Sequence, residues 1–214
     1  MKTAANLQLS LATAIFCSAA LVTSPLSLRS SRSLQNPTPQ ASKTITLYDD
    51  PDAYQLYAFA MPPANKMFVV AETTLGHDSV SGADECIQKT REFGIPFESA
   101  LTNFKQLSDS PKRLAGKWPA DKQVEVISDT NLAQYQKRGR FNWDAFYKRY
   151  PNSIGIFRFS AVGFNEDKTK AMFYRSISGG GGFMGDGGFY VFQKVANEWH
   201  QLSSSGANYC FEIH

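Results

Sequence analysis

The most distinctive residues of the chain lie in a glycine-rich segment near the C-terminus. Residues Gly179–Gly188 contain seven glycines in ten positions, and from Gly180 they match the Gly-x-Gly-x-x-Gly spacing of a dinucleotide-binding loop. That loop requires a helix after the glycines and an acidic residue about 20 positions further on. Here a β-rich aromatic run follows, and Ser205 stands where the acid would be. The pattern therefore excludes a nucleotide site and predicts a long hairpin loop.

The same loop supplies the candidate ligand contacts. Phe183 and Met184 lie near its middle, and Asp186 follows two residues later. Exposed Phe and Met side chains on a glycine-rich loop form an adaptable contact surface. We therefore predict that these three residues contact a ligand if the loop acts as a flap, and that the loop is otherwise a connector.

No catalytic residue is assigned. The run His77-Asp78-Ser79 contains the residue types of a catalytic triad, but triads are assembled from distant segments because adjacent side chains rarely align for proton transfer. The chain also lacks a Gly-x-Ser-x-Gly nucleophile elbow. A small hydrolase with a pocket between helices and sheet remains the alternative, and a cluster of Glu72, His77 or Asp186 in an apolar pocket would favour it.

Candidate metal ligands are few. The three histidines, His77, His200 and His214, are widely spaced. Two oxygen-rich segments, 49–52 and 165–167, do not match the twelve-residue calcium loop. We interpret the first as a helix cap and the second as a polar turn, and we predict neither a metal nor a cofactor.

The cysteines predict one disulfide bond. Cys17 lies in the N-terminal leader, so its removal would leave Cys86 and Cys210. Two cysteines in an oxidising compartment favour a single Cys86–Cys210 pairing. Two separate buried thiols are the alternative, and a reducing compartment would favour it.

The N-terminus has the layout of a secretory signal peptide. Lys2 precedes an apolar run from Leu7 to Val22, and small residues follow. The run is too short and too polar for an ordinary membrane span. We assign residues 1–33 to a signal peptide and expect a periplasmic or secreted protein.

An organelle transit peptide is the alternative for the leader. Arg29 and Arg32 follow the apolar run, and no acidic residue occurs before Asp49. The cleavage site lies between Ala19 and Ser33. Because cleavage after Ser33 removes three basic residues, the formal charge would fall from +3 to zero, which excludes a nucleic-acid partner.

Composition and periodicity predict an α+β fold. Hydrophobic residues make up 43% of the chain and charged residues 19%, which excludes wholesale disorder. A Ser- and Pro-containing spacer covers residues 34–47, and a single domain covers 48–214. Helices occupy the N-terminal half, beginning with one capped by Asp50 and followed by one over Pro96–Ser108. An antiparallel meander of about four strands occupies the C-terminal half: Ile154–Phe164, Ala171–Ser178, Phe189–Val195 and Glu198–Ser203.

One further helix is rich in aromatic residues. Over Trp143–Tyr150 the aromatics recur at helical spacing, Asn142 is the predicted cap, and Phe141 is placed to pack against Phe146. Stacking on a sugar or base is conceivable for such a helix, but the spacing favours core packing against the C-terminal sheet.

Several segments together resemble a family of uncharacterised exported bacterial proteins. The resemblance covers about residues 50–200 and implies export and a single domain, without implying an activity. The family pattern has smaller residues or a cysteine where this chain has Phe183-Met184. The segments that resemble it are Ala53–Tyr57, Glu72–Thr74, Trp143–Pro151, Phe159–Asn165, Ala171–Tyr174, the glycine-rich segment and the strand ending at Trp199.

Taken together, these features favour an exported, non-catalytic binding or structural module. They point to no particular partner, ligand or oligomeric state.

Overall fold

The computed structural model describes residues 45–62, 66–76, 80, 82–92, 96–180, 185–202 and 211–213. Its strands are β1 (Leu47–Tyr48), β2 (Met67–Ala71), β3 (Arg113–Leu114), β4 (Val124–Ile127), β5 (Gln136–Lys137), β6 (Arg140–Phe141), β7 (Ser153–Phe159), β8 (Gly163–Phe164), β9 (Lys170–Ser178), β10 (Asp186–Val195), β11 (Glu198–Gln201) and β12 (Phe211–Ile213). Its helices are α1 (Pro51–Phe59), α2 (Ala83–Glu92), α3 (Glu98–Ser108), α4 (Asp129–Ala133) and α5 (Trp143–Arg149). The predicted signal peptide and almost all of the spacer lie outside these residues, so both stay predictions.

The α+β class is confirmed, and the C-terminal strands form an antiparallel meander. The predicted strand Ile154–Phe164 is wrong in its length, because β7 ends at Phe159 and a separate short strand, β8, covers Gly163–Phe164. The main sheet has the order β11-β10-β9-β7-β2-β4, with β8 pairing β9 and β12 pairing β10. Strands β7, β9, β10 and β11 are antiparallel neighbours, as their short connections predict. The glycine-rich segment follows β9, as a hairpin connector would, but the predicted loop over Gly179–Gly188 is too long because Asp186, Gly187 and Gly188 already pair with β9 as the start of β10.

The prediction of a purely antiparallel sheet is wrong, because the sheet is mixed. Strand β2 runs parallel to both β4 and β7. Parallel neighbours need long crossover connections, and here helices α2 and α3 separate β2 from β4. The helices are also not confined to the N-terminal half, since α4 and α5 lie between β4 and β7.

Helices α1 and α5 begin where their caps predict. The Asp50 carboxylate accepts a hydrogen bond from the Asp52 backbone N–H at 3.0 Å. The Asn142 side chain accepts one from the Ala145 N–H at 3.1 Å. The Phe141 and Phe146 rings lie 5.8 Å apart, so the predicted contact across the start of α5 is also present.

Helix α2 is not among the helices that the sequence predicts, because the residues from Gly76 to Glu85 are mostly polar and small and are typical of a loop. The helix begins at Ala83 and buries Cys86 and Ile87, while Asp84 and Glu85 remain exposed. Its apolar face is narrow and its polar face is long, so composition hides the helical period.

The sheet is covered on both faces. Helix α1 packs against Phe157, Phe159 and Phe173, and we call this side the α1 face. Because successive strand residues point to opposite sides, the neighbouring residues Ile156 and Met172 lie on the other side, which we call the opposite face. There α2 and α3 cover β9 and β10, and α4 and α5 cover β2, β4 and β7.

Helix α5 packs against the C-terminal meander only in part. Phe146 is fully buried in a cluster that includes Ile156 of β7, the first strand of the meander, but the same cluster also takes residues from β2 and β4. Trp143 and Tyr147 are only half-buried. Tertiary pairing places β2 and β4 beside β7, and local periodicity carries no signal of that pairing.

Three buried tyrosines fix α1 to the sheet. The Tyr57 hydroxyl donates to the Ser160 carbonyl at 2.6 Å, and the Tyr54 hydroxyl donates to the Tyr48 carbonyl at 2.9 Å. The Tyr48 hydroxyl accepts from the Val162 N–H at 3.0 Å. Burial is the main cause that raises the pKa of all three hydroxyls above the ordinary tyrosine value.

Within the described residues, no helix is both long enough and apolar enough to cross a membrane.

Candidate functional site

Two arginines mark the two faces of the central sheet. Arg158 lies on β7 and Arg175 on β9, and the strand register pairs Arg158 with Ser176 and Phe159 with Arg175. Paired residues point to the same face and consecutive residues to opposite faces. Arg175 therefore lies on the α1 face and Arg158 on the opposite face.

The Arg175 cleft is a space of about 430 Å³ between the end of α1 and the sheet. Arg175 is 7% exposed. Its Nη1 donates to the Ala60 carbonyl at 2.8 Å, and its Nη2 donates to the Asp186 carboxylate at 2.5 Å. The cleft is lined by Phe59, Ala60, Met61, Pro62, Phe157, Arg175, Ile177, Asp186, Tyr190 and Gln201.

The Arg175 side chain acts as a structural clamp. It joins the end of α1, strand β9 and the first residue of β10, and its guanidinium carbon lies 5.0 Å from the centre of the Tyr190 ring. Only the buried Nε has no hydrogen-bond partner among the residues that the structure describes. Burial raises the pKa of the Tyr190 hydroxyl, although the positive charge of Arg175 opposes the shift.

Asp186, a predicted ligand contact, lines this cleft, but its carboxylate is engaged by Arg175. The other two predicted contacts, Phe183 and Met184, lie outside the described residues. The role of all three as ligand contacts stays a prediction.

Two glycines of the glycine-rich segment are explained by close approach. A Cβ on Gly180 would lie 2.6 Å from the Cβ of Trp143, and one on Gly187 would lie 2.2 Å from the Tyr174 hydroxyl. Side-chain atoms do not come so close, so a side chain at either position would force Trp143 or Tyr174 to shift. Packing against aromatic side chains therefore accounts for these two glycines without a bound phosphate.

The Arg158 cleft is a space of about 460 Å³ on the opposite face. It lies between α4, the β5–β6 hairpin, the start of α5 and strands β7 and β9. Its lining combines apolar and aromatic side chains with four polar ones. The polar residues are Asp129, Gln136, Arg158 and Ser178, and the apolar and aromatic residues are Leu132, Ala133, Phe141, Trp143 and Ile156.

Local structure fixes the wall that carries Trp143. The tight β5–β6 turn places Arg138 and Gly139 at positive φ, which returns the chain to Phe141. The centre of the Phe141 ring lies 4.4 Å from that of Trp143, and the Tyr147 ring stacks on Trp143 with a centre-to-centre distance of 5.8 Å. The Tyr147 hydroxyl in turn accepts a hydrogen bond from the Gly180 N–H at 3.1 Å. The indole is therefore preformed as one wall of the cleft.

Arg158 differs from Arg175 in its partners. Its side chain is half-buried and makes no hydrogen bond or ion pair with any other residue in the described part of the chain. Asp129 lines the same cleft but accepts a hydrogen bond from the Thr73 hydroxyl at 2.7 Å. The donors of Arg158 therefore remain available to a ligand.

A lysine joins the two oxygen-rich segments. The Lys168 ammonium donates to Asp50 at 2.9 Å and to Asp52 at 3.2 Å, beside a groove of about 690 Å³. These hydrogen bonds are the main cause that raises the pKa of Lys168. The described residues include no group of three His, Cys, Asp or Glu side chains placed to hold a metal ion.

Both segments also have the structural roles that were predicted. Asp50 caps α1. The Asn165 side chain accepts hydrogen bonds from the Thr169 and Lys170 N–H groups at 2.9 and 2.7 Å, which closes a polar turn. The cation between these carboxylates is thus a side chain of the protein itself.

The residues considered for catalysis do not come together in the described structure. His77, Asp78 and Ser79 lie outside the described residues, as does His214. His200 is exposed on β11. Glu72 is half-buried and lines neither cleft. The described residues that line the two clefts include no histidine or cysteine.

Cys86 is buried among residues of α2, α3, β9 and β10. Cys210 lies outside the described residues, so the disulfide stays a prediction.

Sequence reasoning missed both arginines. Each is the one charged residue in a mostly apolar predicted strand, Ile154–Phe164 for Arg158 and Ala171–Ser178 for Arg175. That pattern was a usable signal, because a charge on a strand covered on both faces needs a partner or a cleft.

Comparison of the chain with family models, curated proteins and solved structures finds no match. The resemblance to exported bacterial proteins therefore stays a prediction.

Proposed function

We propose that this chain is an exported, non-catalytic binding module, and that a small ligand binds in the Arg158 cleft. One observation carries the proposal: the half-buried Arg158 has no partner among the described residues and shares a cleft of about 460 Å³ with a preformed tryptophan wall. Ligand sites are commonly concave, largely apolar and equipped with a few polar groups.

The size and the rigidity of the cleft support binding of a small molecule. Its volume is within the range of about 300–1,000 Å³ that small-molecule sites occupy. Trp143 is held by Phe141 and Tyr147, so a ligand would not need to order the wall before binding to it.

The described residues assemble no catalytic group, which supports a non-catalytic role. Ser178 lines the Arg158 cleft, but among the described residues no histidine lies there to activate its hydroxyl. Hydrolysis remains a second candidate because the Arg175 cleft lies between a helix and the sheet and contains Asp186. The ion pair with Arg175 makes that carboxylate a poor candidate for a free base.

Export is supported by the leader and by the expected disulfide. Phe211, which follows Cys210, pairs with Gly188 of β10, and the next residue of that strand, Phe189, belongs to the same cluster as Cys86. The chain therefore returns toward the region of Cys86 just after Cys210. A disulfide there would fit an oxidising, periplasmic or extracellular compartment.

The binding test uses the three indole N–H signals of the isotope-labelled protein lacking residues 1–33. We expect small ring-bearing fragments to shift the Trp143 signal saturably, while Trp118 and Trp199 serve as internal references. Trp143→Phe assigns the signal by removing it. Backbone amide signals of the same sample report on the Arg175 cleft, and fragments that shift those signals while leaving Trp143 unchanged would transfer the function to that cleft.

The export test compares the full chain with a chain lacking residues 1–33 in a bacterial host. We expect the full chain to be processed and recovered from the periplasm or medium, and the truncated chain to stay in the cytoplasm. Retention of the full, unprocessed chain in the cytoplasm would contradict export.

A turnover assay with chromogenic esters addresses the hydrolase alternative. Turnover that disappears in Asp186→Asn would support that alternative.

A further inference from the structure

We infer that the ligand of the Arg158 cleft is a small carboxylic acid with a ring, bound with its carboxylate on Arg158 and its ring against Trp143. This inference rests on the proposed function and adds the chemical class of the ligand. It depends on three features of the cleft: a cation without a partner in the described structure, a fixed aromatic wall and a polar rim.

The first feature calls for an anion. Arg158 lies on the third strand from the β4 edge of the main sheet, between apolar residues Phe157 and Phe159 that are fully buried on the α1 face. The guanidinium is planar and has five N–H donors in a fork that matches a carboxylate. Pairing with a carboxylate would satisfy donors that the described protein leaves open, through charge-assisted hydrogen bonds.

The second feature calls for a ring. The Trp143 indole contacts the rings of Phe141 and Tyr147, which fix its position, and it also lines the cleft. Apolar side chains of Leu132 and Ile156 complete the wall. A flat aromatic ring or the apolar face of a sugar ring packs against such a surface.

The third feature limits the charge of the ligand. Asp129 is exposed at the cleft, and its carboxylate oxygen Oδ2 accepts a hydrogen bond from the Thr73 hydroxyl. A negative side chain at the rim repels a second negative charge, so the cleft suits a monoanion better than a phosphate dianion. Asp129, Gln136 and Ser178 also provide hydrogen-bonding groups for hydroxyls on the ring.

The experiment compares acids with uncharged counterparts of the same ring. Benzoate is paired with benzyl alcohol, and galacturonate with methyl galactoside, in titrations followed by the Trp143 indole signal. We expect at least one acid to bind about tenfold or more tightly than its uncharged counterpart, because the counterpart has no carboxylate to form the ion pair with Arg158. Which acid binds tells an aromatic acid from a sugar acid.

Two variants test whether Arg158 is responsible. Arg158→Gln is expected to weaken binding of the acid by about tenfold and to leave binding of the uncharged counterpart unchanged. Arg140→Gln, which removes an exposed arginine of the neighbouring hairpin, is the matched control and should bind like the parent. If Arg158→Gln does not fold, salt provides the second measurement. Raising the ionic strength to about 1 M should weaken binding of the acid and leave binding of its uncharged counterpart unchanged.

The outcomes separate this inference from the proposed function. Equal binding of acids and uncharged counterparts, without salt dependence, overturns the carboxylate inference and leaves the binding module intact. Tighter binding of inorganic phosphate than of either acid also overturns it. If no ring-bearing compound shifts Trp143, both proposals fail.

Discussion

Arg175 and Arg158 lie on neighbouring strands of one sheet, and the register places them on opposite faces. Arg175 is almost fully buried and donates to a helix carbonyl and to Asp186. Arg158 is half-buried and has no side-chain partner within the described structure. A buried cation needs a hydrogen-bonding or ionic partner, whereas a half-buried cation keeps part of its hydration and can stay unpaired until a ligand binds.

The contrast teaches which of two similar clefts serves structure and which serves binding. On the α1 face the arginine closes contacts between α1, β9 and β10, so removing it should disturb folding. On the opposite face the arginine leaves its donors toward a cleft, so removing it should disturb binding. Four predictions test this division, beginning with the largest expected effect.

Of the four predicted effects, loss of the predicted disulfide between Cys86 and Cys210 should lower the free energy of unfolding the most. Cys210→Ser would open a long loop whose closure contributes on the order of 4–5 kcal/mol in the chain-entropy model, as an upper figure. Denaturant unfolding of the mature protein with and without reductant measures the effect. Titration of two free thiols in the denatured, unreduced protein would show that the bond does not form.

Phe146→Ala should destabilise the packing of α5 by about 3–5 kcal/mol, since Phe146 is fully buried among β2, β4 and β7. Lys148→Ala, an exposed substitution on the same helix, should change stability by less than about 0.5 kcal/mol. Chemical denaturation of the two variants gives the comparison. A loss below about 1 kcal/mol for Phe146→Ala would mean that α5 contributes little to this face.

Arg175→Gln and Arg158→Gln test the comparison directly. Arg175→Gln leaves the partly buried Asp186 and the Ala60 carbonyl without their donor, and we expect a loss of about 2–3 kcal/mol. Arg158→Gln should cost less than about 1 kcal/mol, because no described contact is lost. Adding Asp186→Asn to Arg175→Gln should restore part of the stability. The reverse order of the two arginine effects would break the proposed division.

High pH should unfold the protein through the α1 face. Burial raises the folded-state pKa of Tyr48, Tyr54 and Tyr57 above the ordinary value of 10.0. Above pH 10 the unfolded chain loses these protons while the folded chain retains them, so the free energy of unfolding falls as pH rises. Each tyrosine contributes a slope of up to about 1.4 kcal/mol per pH unit.

Denaturant unfolding at several alkaline pH values, together with tyrosinate absorbance, measures this slope. Tyr57→Phe should make the slope shallower. Tyrosinate absorbance that rises fully before unfolding would contradict a folded state that holds these hydroxyls protonated.

The local features of this fold follow from short stretches of sequence. Asp50 and Asn142 cap the helices that they precede because a cap needs only the next few backbone N–H groups. The four strands of the meander follow from alternation and short turns for the same reason. Helix α2 was not predicted because few of its residues are buried. The parallel pairing of β2 was not predicted because no short turn connects β2 to either neighbouring strand.

The candidate site was harder to predict than the elements that hold it. Asp186 was singled out, yet its distinguishing contact is with Arg175, whose side chain reaches across from the neighbouring strand. Glycines 180 and 187 suggested a loop for a ligand, whereas their packing against Trp143 and Tyr174 explains them. These contacts form only when strands pair and when α5 packs beside them, so composition and spacing do not encode them directly.

By itself the sequence determined the α+β class, the caps of α1 and α5, the antiparallel meander and the two-sided burial of β7, because each depends on local propensity and on the alternation of side chains. Only the tertiary structure decided that β2 and β4 extend the meander in parallel and that Lys168 joins two acidic segments. It also decided which arginine is clamped and which faces a cleft. Strand alternation sends the two to opposite faces, but what covers each face depends on how distant segments pack.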